Sequence, residues 1–133
     1  MQSIAFPFTA LGVLAVLIVY VIAIRGVGKM RGKHGIKVPA MSGHEEFDRA
    51  LRAQMNTLEY MVIFLPLCII FAGVFGDLAG GIYGAVFAIG RYMYVTGYVR
   101  APEKRVPGFM ISAFATLSVL IACLGAVSWQ LLS

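Results

Sequence analysis

Four apolar runs alternate with three short polar connections: residues 4–24, 47–75, 78–98 and 108–132. A helix needs about 20 apolar residues to cross the ~30 Å hydrocarbon core of a bilayer. Each run meets that length, and little chain is left for anything else. The pattern predicts an all-α membrane protein whose residues 1–133 form a single four-helix transmembrane bundle. Glycines at 26, 28, 32 and 35, followed by Pro39, predict that the first helix frays beyond Arg25 into a loop. Ser42 or Gly43 is the expected cap of the second helix, with Glu45, Glu46 and Asp48 at the positive end of its dipole. Gly76-Asp77 leaves room only for a tight turn, so the second and third helices form a hairpin. Gly76, Gly80, Gly84 and Ala88 recur every four residues, a spacing that lets helix backbones approach closely. Gly12, Ala15 and Ala23 in the first run, and Ser118, Ala122 and Ala126 in the fourth, are expected to do the same.

Composition sharpens this. Hydrophobic residues make up 60% of the chain and charged residues 13%, against about a quarter charged in a soluble domain. The net charge of +5 comes from basic residues flanking the apolar runs. The expected partners are therefore membrane lipids with anionic headgroups, or a small anionic ligand, and no nucleic acid. Met1-Gln2-Ser3 lacks a basic leader and the run behind it is long, which predicts a retained first span. The Lys and Arg residues gather at the first and third connections. The positive-inside rule then makes the chain an integral, multi-pass membrane protein with those connections cytoplasmic and both termini opposite. Cys68 and Cys123 sit inside apolar runs and read as small hydrophobes. His34 and His44 lie in a loop with no Cys or carboxylate at ligand spacing, so they are expected to be solvated and no metal is expected.

The polar residues inside the runs carry the chemistry. A charge at the bilayer centre costs roughly 2.5–3.5 kcal/mol, so intramembrane charges mark functional sites. At about 100° per residue, Asn56 lies about 40° from Arg52, and Glu59 about 20° to the other side. A cation, an amide and an anion thus share one helix face. On the third helix, Tyr94 and Tyr98 lie about 60° and 20° from Arg91, on the same side. The topology brings the Arg52 end of helix two, the Tyr98 end of helix three and the Arg105 start of helix four to one level. Arg52 and Arg105, with Arg31 or Lys33, supply cations. Glu59 accepts an ammonium, Asn56 bridges, and the phenols donate. That set suits a small zwitterionic peptide with more carboxylates than amines. A thiol on such a ligand would be pushed toward thiolate by an adjacent guanidinium. The sequence has no Ser-His-Asp set, phosphate loop or metal-ligand spacing.

Two segments, Arg52-Ala53-Gln54-x-Asn56-x-x-Glu59-Tyr60 and Gly90-Arg91-x-x-Tyr94-x-x-Gly97-Tyr98, together resemble the paired signature of the MAPEG family. These are membrane-associated proteins in eicosanoid and glutathione metabolism, among them microsomal glutathione transferases and leukotriene-C synthase. The loop Arg31 to Met41 is similar to the one before that motif in the third microsomal transferase type. The resemblance covers the whole chain in length, span number and motif order. It implies a homotrimer with glutathione, as co-substrate, bound between adjacent subunits on the cytoplasmic side. Arg52, Asn56, Glu59, Tyr60, Tyr94 and Tyr98 would hold the tripeptide. Gln54 matches too, but points about 160° from Arg52 and would have to face a neighbouring subunit. Arg105 matches the residue that favours the thiolate. Arg31 matches one of two adjacent arginines assigned to the substrate, but here Gly32 and Lys33 follow it. The implied activity is conjugation of glutathione to lipophilic electrophiles, with reduction of lipid hydroperoxides as a further reaction. Two other readings stay open: a lipid-binding scaffold on the same fold, and a small proton-coupled exporter using Glu59.

Overall fold

Helix follows the apolar runs. In the computed structural model, which describes residues 1–133, α1 spans Pro7–Lys33, α2 Glu45–Phe75, α3 Asp77–Arg100 and α4 Val106–Leu132. A 3₁₀ turn, Pro102–Arg105, joins α3 to α4. The first helix does not fray at its glycines. It continues through Gly26, Gly28 and Gly32 because buried Val27 packs with Phe47, Ala50 and Leu51 of α2. That packing offsets the roughly 1 kcal/mol an interior glycine costs a helix. Nor is Ser42 or Gly43 the cap of α2. His44 is, its Nδ1 accepting from the Glu46 amide at 3.1 Å. The Ser42 hydroxyl and Gly43 amide instead donate to the Asp48 carboxylate at 3.1 and 3.2 Å. A hydrogen bond from Lys33 holds the Glu46 carboxyl below its usual range.

Only 30 of 133 residues are buried, and long apolar side chains such as Ile18, Ile69 and Ile121 point outward. Burying apolar area drives folding in water, so an apolar exterior on this scale belongs in hydrocarbon. The interior is one layer deep: Val16, Phe64, Phe87 and Val119, one from each helix, share a core, with Phe64 stacked on Phe87 at 4.4 Å. Three helical segments, Pro7–Lys33, Glu45–Phe75 and Pro102–Leu132, are long and apolar enough to cross a membrane by composition alone. The third helix falls short of that measure. It packs against α1, α2 and α4, so much of its surface meets protein rather than lipid, and it can carry glycines, tyrosines and Arg91.

Close backbone approach sets how α3 sits. A methyl group on Gly84 would lie 2.6 Å from the Cα of Gly12 on α1, and one on Gly108 of α4 would collide with Gly90 on α3. Of the four-residue stripe, Gly84 makes such an approach, Gly80 leaves room for the side chains of Thr9 and Ala72, and Gly76 is the turn itself, with φ of 100°. On α4 the expected small-residue stripe is displaced. Ser118 and Ala122 are exposed, and the packed line is Gly108, Ser112, Thr116, Val119 and Cys123. The turn also anchors α1: the Asp77 carboxylate accepts from the amides of Phe8 at 3.0 Å and Thr9 at 2.8 Å. Those amides are among the donors that a helix start leaves without an internal partner.

Candidate functional site

The rotation of α2 decides which of its polar residues can meet. Fully buried Ala53 and Thr57 fix the inward direction, about 100° and 140° round from Arg52. Tyr60, at about 80°, and Asn56, at about 40°, are half-buried, whereas Arg52 and Glu59 are exposed. The face that carries Arg52, Asn56 and Glu59 is therefore divided. Asn56 turns toward the bundle, Glu59 away from it, and Arg52 stands at the edge.

At that edge the helix ends converge on a cavity of about 340 Å³, lined by Arg52, Asn56, Tyr94, Tyr98 and Arg105. Phe109 and Val106 of α4 complete its wall. The rings of Tyr94 and Tyr98 lie 5.7 Å apart. The Arg105 guanidinium sits 5.2 Å from the Tyr98 ring centroid, and its Nη1 donates to the Pro102 carbonyl at 3.1 Å. The 3₁₀ turn thus places Arg105 over the mouth. Three helices and one turn contribute, and no carboxylate borders the space.

Behind the wall lies Arg91, the largest side chain that is completely buried. Its Nη2 donates to Asn56 Oδ1 at 2.8 Å and Thr57 Oγ1 at 2.9 Å, and its Nη1 to Ser112 Oγ at 3.4 Å. The guanidinium carbon lies 4.1 Å from the Tyr94 ring centroid and 5.1 Å from that of Tyr60. All its partners are neutral. The chain's ion pairs are Lys33 with Glu46 and Arg49 with Glu45. The sequence places Arg91 on the face of Tyr94 and Tyr98 but does not show that it lies beneath them. A buried arginine needs several acceptors at once, and Thr57 and Ser112 come from two other helices.

The remaining sequence candidates lie elsewhere. Tyr60 packs edge-on against Phe109, with centroids 6.0 Å apart, beneath Arg91 rather than on the cavity. Gln54 finds a partner inside the chain, its Nε2 donating to the Tyr20 hydroxyl of α1 at 3.1 Å. Glu59 has no ionic partner in the chain. Arg31 donates to the Ala40 carbonyl at 2.9 Å and lies over the Phe47 ring at 4.7 Å. It borders a separate groove beside the α1–α2 loop. That loop also corrects the expectation that both histidines are merely solvated. His34 stacks on His44 with centroids 3.5 Å apart, and Glu46 Oε1 lies 3.4 Å from His34 Nε2. Their ligand atoms fall within 4.8 Å of one another. Rings stacked at 10° aim their in-plane lone pairs side by side rather than at one point. Lys33 already holds Glu46, and the arrangement serves as a loop tie.

Fold and exterior together define an integral, multi-pass helical membrane protein with a cation-rimmed cleft at one end of its bundle. The MAPEG family model matches residues 8–125, and the chain belongs to that family. It is similar to an uncharacterized protein of Synechocystis, 38% identical over 84% of this chain and 82% of that protein. It is also similar to microsomal glutathione S-transferase 2 of Mus musculus, 37% identical over 77% of this chain and 70% of the relative. Leukotriene C4 synthase of Bos taurus is 33% identical over 70% of this chain and 63% of its own length.

Proposed function

We propose that this protein is a membrane-bound glutathione transferase that joins glutathione to lipophilic electrophiles. The reading rests on one observation above others. Arg52, Asn56, Tyr94, Tyr98 and Arg105 border a single cleft with no carboxylate among them, a setting for a peptide bearing more carboxylates than amines. Relatives named for glutathione transfer and leukotriene C4 synthesis support the choice of peptide.

In this reading Arg52 and the tyrosine hydroxyls hold carboxylates, Asn56 holds the peptide backbone, and Arg105 faces the thiol. Its positive charge favours the thiolate, the thiol proton passing to water at the cytoplasmic mouth. The sulfur electron pair then forms a C–S bond to the electrophilic carbon, and the bond to the leaving group breaks with its pair going to that group. With a lipid hydroperoxide the thiolate attacks the terminal oxygen, the O–O bond breaks and the lipid alkoxide takes a proton from water to leave as the alcohol. A second glutathione then attacks the sulfenic sulfur, giving the disulfide and water. Tyr60 supports the wall through Arg91. Arg31, engaged with Ala40 and Phe47, is given no part in the chemistry.

A homotrimer completes the proposal. Glu59 faces outward without an ionic partner, and a carboxylate turned to hydrocarbon is costly. A neighbouring copy that covers this face would put Glu59 within reach of the ligand's ammonium. Gln54, held by Tyr20, would then contribute across the interface only through that contact. The cleft-bearing face is assigned to the cytoplasm on the distribution of basic residues.

The test is calorimetric titration of the purified protein in detergent with glutathione, combined with ultraviolet detection of bound thiolate. Binding, a thiolate signal and a weaker affinity in Glu59→Ala are expected. Absence of binding at millimolar glutathione would remove the transferase reading. The lipid-binding scaffold would then be preferred.

A further inference from the structure

Arg91 does more than fill space. A guanidinium carries only donors, so whatever atom Asn56 turns toward it must be the amide oxygen. That oxygen is in fact 2.8 Å from Arg91 Nη2. Thr57, which also accepts from Nη2, spends its own hydroxyl hydrogen on the Ala53 carbonyl at 2.8 Å. Ser112 likewise donates to backbone carbonyls of its own helix, Gly108 and Phe109, each at 3.1 Å. Neither hydroxyl has a hydrogen left to offer Asn56. With its oxygen committed inward, Asn56 has a free NH₂ group, which forms no hydrogen bond within the chain, and the residue lines the cleft.

We infer that Arg91 is a positioning residue: it locks the Asn56 amide with Oδ1 inward and NH₂ toward the cleft. Every polar group on the wall can then donate, and none is an obligatory acceptor. The cleft selects ligands by their acceptor atoms, carboxylate and peptide carbonyl oxygens foremost. This deepens the glutathione reading and rests on it for the ligand's identity. The orientation of the amide does not depend on it.

Asn56 is the only asparagine in the chain, so protein labelled with ¹⁵N-asparagine yields one side-chain amide signal. Ligand-free wild type is expected to show a single sharp pair of NH₂ protons. Arg91→Gln should broaden or shift that pair, because glutamine can meet either end of the amide. Arg91→Lys, which again offers only donors, should restore one sharp pair. Adding glutathione should move the wild-type pair, and Arg91→Gln should bind glutathione about tenfold more weakly. Asn56→Asp keeps an oxygen for Arg91 and so should not lower the melting temperature, but it replaces the NH₂ by an acceptor and should abolish binding. An Asn56 signal indifferent to Arg91→Gln, or wild-type affinity in Asn56→Asp, overturns the inference. If Arg91→Gln does not fold, the lysine and aspartate variants decide it. Wild-type protein that ignores glutathione overturns the functional reading instead, while the ligand-free spectra still judge Arg91.

Discussion

At the Asp77 end of the bundle, one carboxylate meets two backbone amides, those of Phe8 and Thr9, within 3.0 Å. At the Arg91 end, a buried guanidinium meets only neutral oxygens and aromatic faces, and two further arginines rim a cleft. The first charge is answered inside the chain, so it ties α3 to α1 and leaves nothing over. The second group of charges is not answered by any acid, so it has capacity for an anion from outside. Backbone contact does not make this division. Gly12 meets Gly84 toward the Asp77 end, and Gly108 meets Gly90 beside Arg91, so it is the pairing of charge, not the closeness of the helices, that separates the two ends. Charge that is paired builds the fold here; charge that is unpaired makes a site.

The contrast can be broken most severely at the open end. Arg105→Ala removes the cation assigned to the thiolate and should cut the conjugation rate roughly 10²-fold, in line with losing one preorganised donor to a developing anion. Ultraviolet absorbance of the bound thiolate should fall with it, while thermal unfolding stays as in wild type. At the closed end, Gly84→Leu forces a side chain into the α1 backbone. It should destabilise the protein by about 1–3 kcal/mol, measured by thermal unfolding in detergent, without a matching change in glutathione affinity of the folded fraction. Arg52→Ala should weaken glutathione binding about tenfold, the lower range for a charge-assisted hydrogen bond because the side chain is exposed. An unchanged dissociation constant would take Arg52 off the ligand.

The smallest effect concerns the paired charge. Burial alone would push the Asp77 carboxyl up, but the amides of Thr9 and Phe8, with the Thr9 hydroxyl alongside, hold it below its usual value. A carboxyl lowered in the folded state adds stability above its unfolded pKa of about 3.9, and that stability is lost as pH falls through the folded value. Asp77→Asn should therefore melt slightly below wild type at neutral pH, and the two should draw together as the solution is acidified below pH ~4. A gap that persists in acid would mean the carboxylate charge is not what holds α1.

Local periodicity made much of this molecule readable. Apolar run length placed the four helices. The i,i+4 spacing of Arg52 with Asn56 and of Tyr94 with Tyr98 put each pair on one face, since about 3.6 residues per turn brings them within some 40°. The short connections, together with the short reach of a turn, brought Arg105 to the same level. What spacing cannot supply is the rotation of each helix against its neighbours. Glu59 is only about 60° from Asn56 around the helix, yet one faces out and the other in, because Ala53 and Thr57 set the direction of burial. The same packing put Arg91 beneath Tyr94 rather than beside it, carried α1 past its glycines to Lys33, and stacked His34 on His44. Phase along one helix is written in one stretch of sequence, whereas burial depends on the volumes and acceptors that three other helices bring to it.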